Sequence, residues 1–137
     1  MHKLISTKQA AMTRFVMLKN KDTGTTDYCF DDSDFLDSEK AGFYFMEEGK
    51  MYDCKILLFG DSKPGPGGVA KKVFCRVVRD NVVCGEARLV EVAVDNERYY
   101  VPRSDVEDQL KNGEFEYYYT RKDLIQVDNV IHGFYLD

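Results

Sequence analysis

Turn signals recur about every ten residues along this chain, and the stretches between them alternate apolar and polar side chains, a spacing that short strands fill and long helices do not. The clearest stretch covers residues 43–59, FYFMEEGKMYDCKILLF, where Tyr52, Cys54, Ile56 and Leu58 point one way and Asp53 and Lys55 the other. Gly49 marks a turn or bulge ahead of the alternating part. Leu57 and Phe59 make its far end apolar on both faces, which predicts a central or covered strand end.

The remaining elements follow from the same logic. TRFVMLKN and TTDYCF, joined by the turn KDTG, predict a hairpin over residues 13–30. Asp32 or Ser33 opens a candidate helix or loop, DDSDFLDSEKAG. VFCRVVR predicts a strand that ends at an Asp80-Asn81 turn, and VVCGEARLVEVAV continues with Gly85 as a bulge or bend. Asp95-Asn96-Glu97 turns the chain back into RYYV. Ser104 with Glu107 has the pattern of a capping box and Asn112-Gly113 that of a stop, which predicts a short helix over 104–112. FEYYYT and LIQVDNVI, separated by RKD, close the chain as two further strands. The sum is one mainly β domain over residues 1–137, a small barrel or sandwich with one or two short helices. A long strand pair, a flexible loop and a late short helix resemble an OB-like barrel, and RYYVPRSDVE is similar to the strand, short helical turn and strand of SH3-like barrels.

Composition narrows the classes of function. The 137 residues are 44% hydrophobic, 31% charged and 13% aromatic, which suits a packed domain and leans toward strands. The net charge of −5 argues against a duplex-DNA coat protein. No apolar run has the length of a signal peptide or membrane span, so a cytoplasmic location is the default expectation. Cys29, Cys54, Cys75 and Cys84 have no CxxC spacing and lie in apolar or alternating stretches, so buried, reduced thiols are expected, with no metal and no cofactor. Cys54 or Cys75 with His132 lacks an orienting third group, and no catalytic residue is nominated.

The stretch GDSKPGPGGVAKK, residues 60–72, invites a nucleotide-loop reading and fails it. A phosphate loop needs Lys and a hydroxyl directly after its last glycine, whereas Gly68 is followed by Val69 and Lys72 by Val73. It predicts a flexible hairpin loop. Charge is unevenly spread. Residues 60–90 hold six basic side chains, among them Lys63, Lys71, Lys72, Arg76 and Arg79, against three acidic ones, a net +3. Residues 21–53 hold three basic against ten acidic, a net −7. The larger excess favours a non-catalytic protein-interaction or inhibitor domain whose acidic face, with Asp31, Asp32, Asp34, Asp37, Glu39, Glu47 and Glu48, docks on a basic protein. The alternative is an OB-like module for single-stranded nucleic acid. There Lys63, Lys71, Lys72, Arg76 and Arg79 would hold phosphates, and Tyr99 or Tyr100, whichever ring alternation turns outward, would stack bases with Tyr118.

Overall fold

The computed structural model describes residues 1–33 and 42–136, and within them the chain forms ten strands. These are β1 (His2–Gln9), β2 (Arg14–Asn20), β3 (Thr26–Asp31), β4 (Met51–Tyr52), β5 (Cys54–Asp61), β6 (Lys71–Cys84), β7 (Ala87–Val94), β8 (Glu97–Pro102), β9 (Glu114–Val127) and β10 (Val130–Ile131). Five of them close on themselves in the order β5-β9-β6-β7-β8, the ring completed by the parallel pair Leu57↔Tyr100. The first barrel strand therefore pairs with the fifth and fourth. Helical turns of 3-10 type precede the last barrel strand, which lies between the first and the second. The rest of the chain builds a second sheet, β4-β1-β2-β3, joined to the barrel through β9.

The expected hairpin over 13–30 forms as β2 and β3, with Gly24 turning at φ 80° and its N–H donating to the Asn20 carbonyl over 2.7 Å. β1, which had no separate sequence signal, pairs along β2. Strand structure in the 43–59 stretch starts only at Met51. The DDSDFLDSEKAG helix or loop lies largely outside the described residues. Two expected turns prove to be irregularities inside long strands. β6 runs through Asp80-Asn81 with register shifts on either side of Arg79, and β9 runs through RKD with a bulge at Thr120. The expected 104–112 helix is a pair of 3-10 turns, Arg103–Asp105 and Glu107–Asn112, without a side-chain cap; Gly113 ends them at φ 75° as the Asn-Gly signal requires.

One core runs through both sheets: Leu4, Val16, Leu18 and Cys29 from the N-terminal strands join Ile56, Leu58, Val92, Val101, Tyr117 and Leu124 of the barrel. A smaller cluster, Leu57, Val82, Cys84, Leu89, Tyr100 and Ile125, packs separately with Tyr135 against it. Leu57-Leu58, Tyr99-Tyr100 and Leu124-Ile125 are consecutive buried pairs, so these strands are covered on both faces. All four cysteines are free and buried.

The 62–70 loop is not a hairpin loop. β5 and β6 both pair with Tyr118 and Tyr119, so they sit on opposite edges of β9 and the loop crosses from one edge to the other. The crossing starts at Gly60, where a Cβ would lie 1.8 Å from the Tyr118 carbonyl oxygen. Gly60→Ala therefore lowers stability by about 2–3 kcal/mol through backbone displacement. Gly65→Ala, with nothing within 4 Å of its added carbon, stays within about 0.5 kcal/mol of the parent. Urea titration of both variants checks the pair; equal midpoints would refute the close approach.

Burial also sets the alkaline limit. It pushes the Cys54 and Cys75 thiols and the Tyr135 phenol up to about 12. Burial, with Asp27 and Asp105 as neighbours, raises Tyr99 and Tyr117 as well. The unfolded groups ionise from about pH 8.5 (Cys) and about pH 10 (Tyr), so the folded chain holds more protons above that range. The stabilisation is complete below about pH 8.5 and declines as pH rises toward about 12. Urea midpoints should fall steadily from about pH 8 to about pH 11, and a flat profile would contradict the burial of these groups.

Candidate functional site: an aromatic and arginine face where three strands meet

β9 is the strand on which both sheets depend, and its bulge organises the site. Phe59 pairs with Arg121 and Gly60 with Tyr119, so Thr120 is the extra residue. The offset turns both Tyr119 and Lys122 toward the interior and leaves Arg121 on the outer face. Inside, Lys122 Nζ meets Asp27 of β3, a carboxylate only 4% exposed. Tyr99 of β8 donates its hydroxyl to the same carboxylate at 2.8 and 3.0 Å. This buried knot ties β3, β8 and β9 together.

Outside, four strands contribute one row of side chains. Phe15 and Phe30 are register partners on β2 and β3, with ring centroids 5.5 Å apart, edge to face. The Arg121 guanidinium lies 4.2 Å from the Phe30 ring and 4.5 Å from the Phe59 ring, stacked between them. Asp123 holds it from the same strand face, accepting from Nε at 2.6 Å and a terminal nitrogen at 3.0 Å. Tyr28 is 63% exposed, Phe59 50% and Phe15 40%, too much aromatic surface in one place for routine solvent exposure. Beside the row lies an open groove of about 590 Å³. Its floor is residues 119–122 of β9; Thr26 and Tyr28 form one wall, Val69 and Lys71 the other.

The candidates for an acidic face are dispersed. Asp31 is fully buried, accepts from Arg14 Nε at 2.8 Å, and receives both the backbone N–H and the hydroxyl of Ser33. It holds the chain together and is unavailable for docking. Asp32 accepts from His132 Nε2 at 2.6 Å. His132 Nδ1 accepts the Phe134 N–H, so Nε2 carries the ring proton. Glu47 is exposed and paired with Lys50, and Glu48 is exposed. Asp34, Asp37 and Glu39 lie outside the described residues.

The candidates for a polyanion track are also divided. Lys63 and Arg76 are exposed, and Lys71 borders the groove. Lys72 pairs with Glu116 at 3.1 Å and Arg79 with Glu91 at 2.6 Å. Tyr118 is half-buried. Tyr99 and Tyr100, expected to place one ring outward, are 5% and 7% exposed because β8 has a core on each face. Among the described residues no group of three or more His, Cys, Asp or Glu side chains is arranged to hold a metal ion. Nor is any helix there long and apolar enough to cross a membrane.

Phe15, Tyr28 and Phe30 were not singled out by sequence, and the strand end expected to be covered is so only at Leu57, since Phe59 is half exposed. The signal was present: inward Asp27 and Cys29 force Tyr28 and Phe30 outward, and inward Val16 and Leu18 do the same for Phe15.

Asp31→Ala strands the buried Arg14 charge and should cost about 3–5 kcal/mol, while the joint Glu47→Gln, Glu48→Gln change should stay within about 0.5 kcal/mol. Thermal melts distinguish the two, and a mild Asp31 variant would refute its structural role.

Compared with known proteins, the chain matches no family model, no curated protein and no solved structure.

Proposed function

We propose that this protein is a non-catalytic protein-interaction module, and that the binding surface is the aromatic and arginine face around Phe15, Tyr28, Phe59 and Arg121. One observation carries the proposal: the aromatic rings are exposed while two of the three cations lining the groove beside them are already neutralised, which leaves Lys71 alone against the several a phosphate track uses. Arg121 is engaged by Asp123 and Lys122 by Asp27. A nucleic-acid platform of this kind needs free cations for phosphates next to the rings on which bases stack. A protein interface needs the opposite, aromatic anchors and Arg with their charges satisfied at the centre. The acidic residues between 21 and 53 give weaker support to an interaction surface, since Asp31 is buried and Asp32 and Glu47 have partners of their own.

The test compares surfaces on one folded protein. Phe59→Ser and Tyr28→Ser, each with its melting profile checked, should weaken capture of a partner by about tenfold or more, the size of a hot-spot loss. The Glu47→Gln, Glu48→Gln variant should capture it as the parent does. Labelled single-stranded DNA and RNA should show no saturable anisotropy change at low salt. Saturable, salt-sensitive binding of either, or equal capture by the Phe59 and Tyr28 variants, would overturn the proposal.

A further inference from the structure

Building on the interaction face, we infer that the groove beside it receives an extended segment of a partner protein, added as a strand to the free edge of β3. β3 is paired along its whole length with β2 on one side. On the other side it meets β9 through the single residue pair Phe30↔Asp123. Residues 26–29 thus present main-chain groups with no strand beside them, among the described residues, at the edge facing the groove. An unpaired strand edge is a template for another strand.

The reason for this edge lies in β9. At Tyr118 and Tyr119, β6 occupies the edge of β9 opposite β5, and at Asp123 β3 occupies that same edge. The two strands run in opposite directions along it, β6 antiparallel and β3 parallel to β9. Between them residues 120–122 of β9 are left as the floor of a fork. The fork determines the occupant. It is walled on both sides, by Thr26 and Tyr28 on β3 and by Val69 of the crossing loop with Lys71 at the start of β6. A single extended chain can enter it, whereas the edge of another folded sheet would collide with the β6 wall.

The side chains specify the occupant further. In strand addition, main-chain hydrogen bonds supply affinity and alternate side chains supply specificity. Tyr28 and Phe59 offer apolar contact on the open face, so alternate residues of the segment are aromatic or aliphatic. Lys71 is exposed and, among the described residues, has no carboxylate within ion-pair distance, unlike Lys72, Lys122 and Arg121. It is the one charge of the groove wall left to pair, which places an acidic residue on the segment.

Selection of random linear peptides on the full chain, followed by synthesis of the enriched ones, tests this. Binders with alternating apolar residues and an acidic residue are expected. N-methylation of the peptide backbone should weaken binding about tenfold or more at every second position and leave the positions between nearly unchanged, because only one set of N–H groups faces β3. Amide hydrogen exchange within residues 26–29 should slow when peptide binds. Lys71→Ala should weaken an acidic peptide by about threefold and its amide analogue not at all. Peptides that tolerate N-methylation everywhere and leave those amides unprotected would overturn strand addition while the aromatic face still stood as a docking surface. Failure to select any linear binder, or protection of residues 26–29 in the free protein through self-association, would overturn it likewise. Equal binding by Phe59→Ser and parent would remove both the slot and the face.

Discussion

β9 has two edges and four neighbours, and most of this structure follows from how that conflict is resolved. β5 takes one edge from Cys54 to Asp61, while β6, β3 and the short β10 share the other. An uninterrupted strand would keep every second side chain on the barrel interior. The bulge at Thr120, the first of two along β9, breaks that rule, and the break lets Tyr119 fill the core while Lys122 reaches Asp27. Without it, Arg121 and Lys122 would exchange faces. A guanidinium would then enter the core and the Phe30–Phe59 sandwich would lose its middle member.

The Asp27, Lys122 and Tyr99 knot shows how a charge is kept under a sheet junction. A carboxylate taken out of water costs several kcal/mol unless its lone pairs are used. Here an ammonium and a phenol use them, and each comes from a different strand. The knot therefore fixes the angle at which the N-terminal sheet leaves the barrel, and with it the width of the fork. The Arg14–Asp31 pair does the same at the other end of β3, where the Arg14 guanidinium also donates to the Phe43 carbonyl and covers the Tyr44 ring at 4.0 Å. β3 is held at both ends by buried charge and is free along its outer edge between them.

Local chemistry was legible in the sequence and long-range pairing was not. The KDTG turn, the alternation of residues 52–58, the buried cysteines and the Asn-Gly stop are decided by a few neighbouring residues. The errors share one cause. Asp80-Asn81 and RKD have the composition of turns, yet each sits inside a 14-residue strand. Their polar groups are satisfied from outside the segment: Arg103 donates to the Asp80 main-chain carbonyl, and Asp27 receives Lys122. Tyr99 and Tyr100 had to be placed on opposite faces by alternation, and they are; what alternation omits is that both faces are covered. Asp31 looked like part of an acidic run because its partner, Arg14, lies on the preceding strand, 17 residues back.

The loop GDSKPGPGGVAKK changes meaning in the fold. Read alone, its glycines and prolines mark the end of a hairpin. In the structure it bridges the two edges of β9, and glycine at its first position is demanded by the Tyr118 carbonyl, not by loop flexibility. Its last residues are the ones that face the groove, with Val69 80% exposed and Lys71 beside it. A loop that must pass over β9 cannot also lie along β3, so the fork stays open at the place where aromatic surface is most exposed. The same crossing that closes the barrel thus leaves β3 without a neighbour, and closure of one sheet is what creates the free edge of the other.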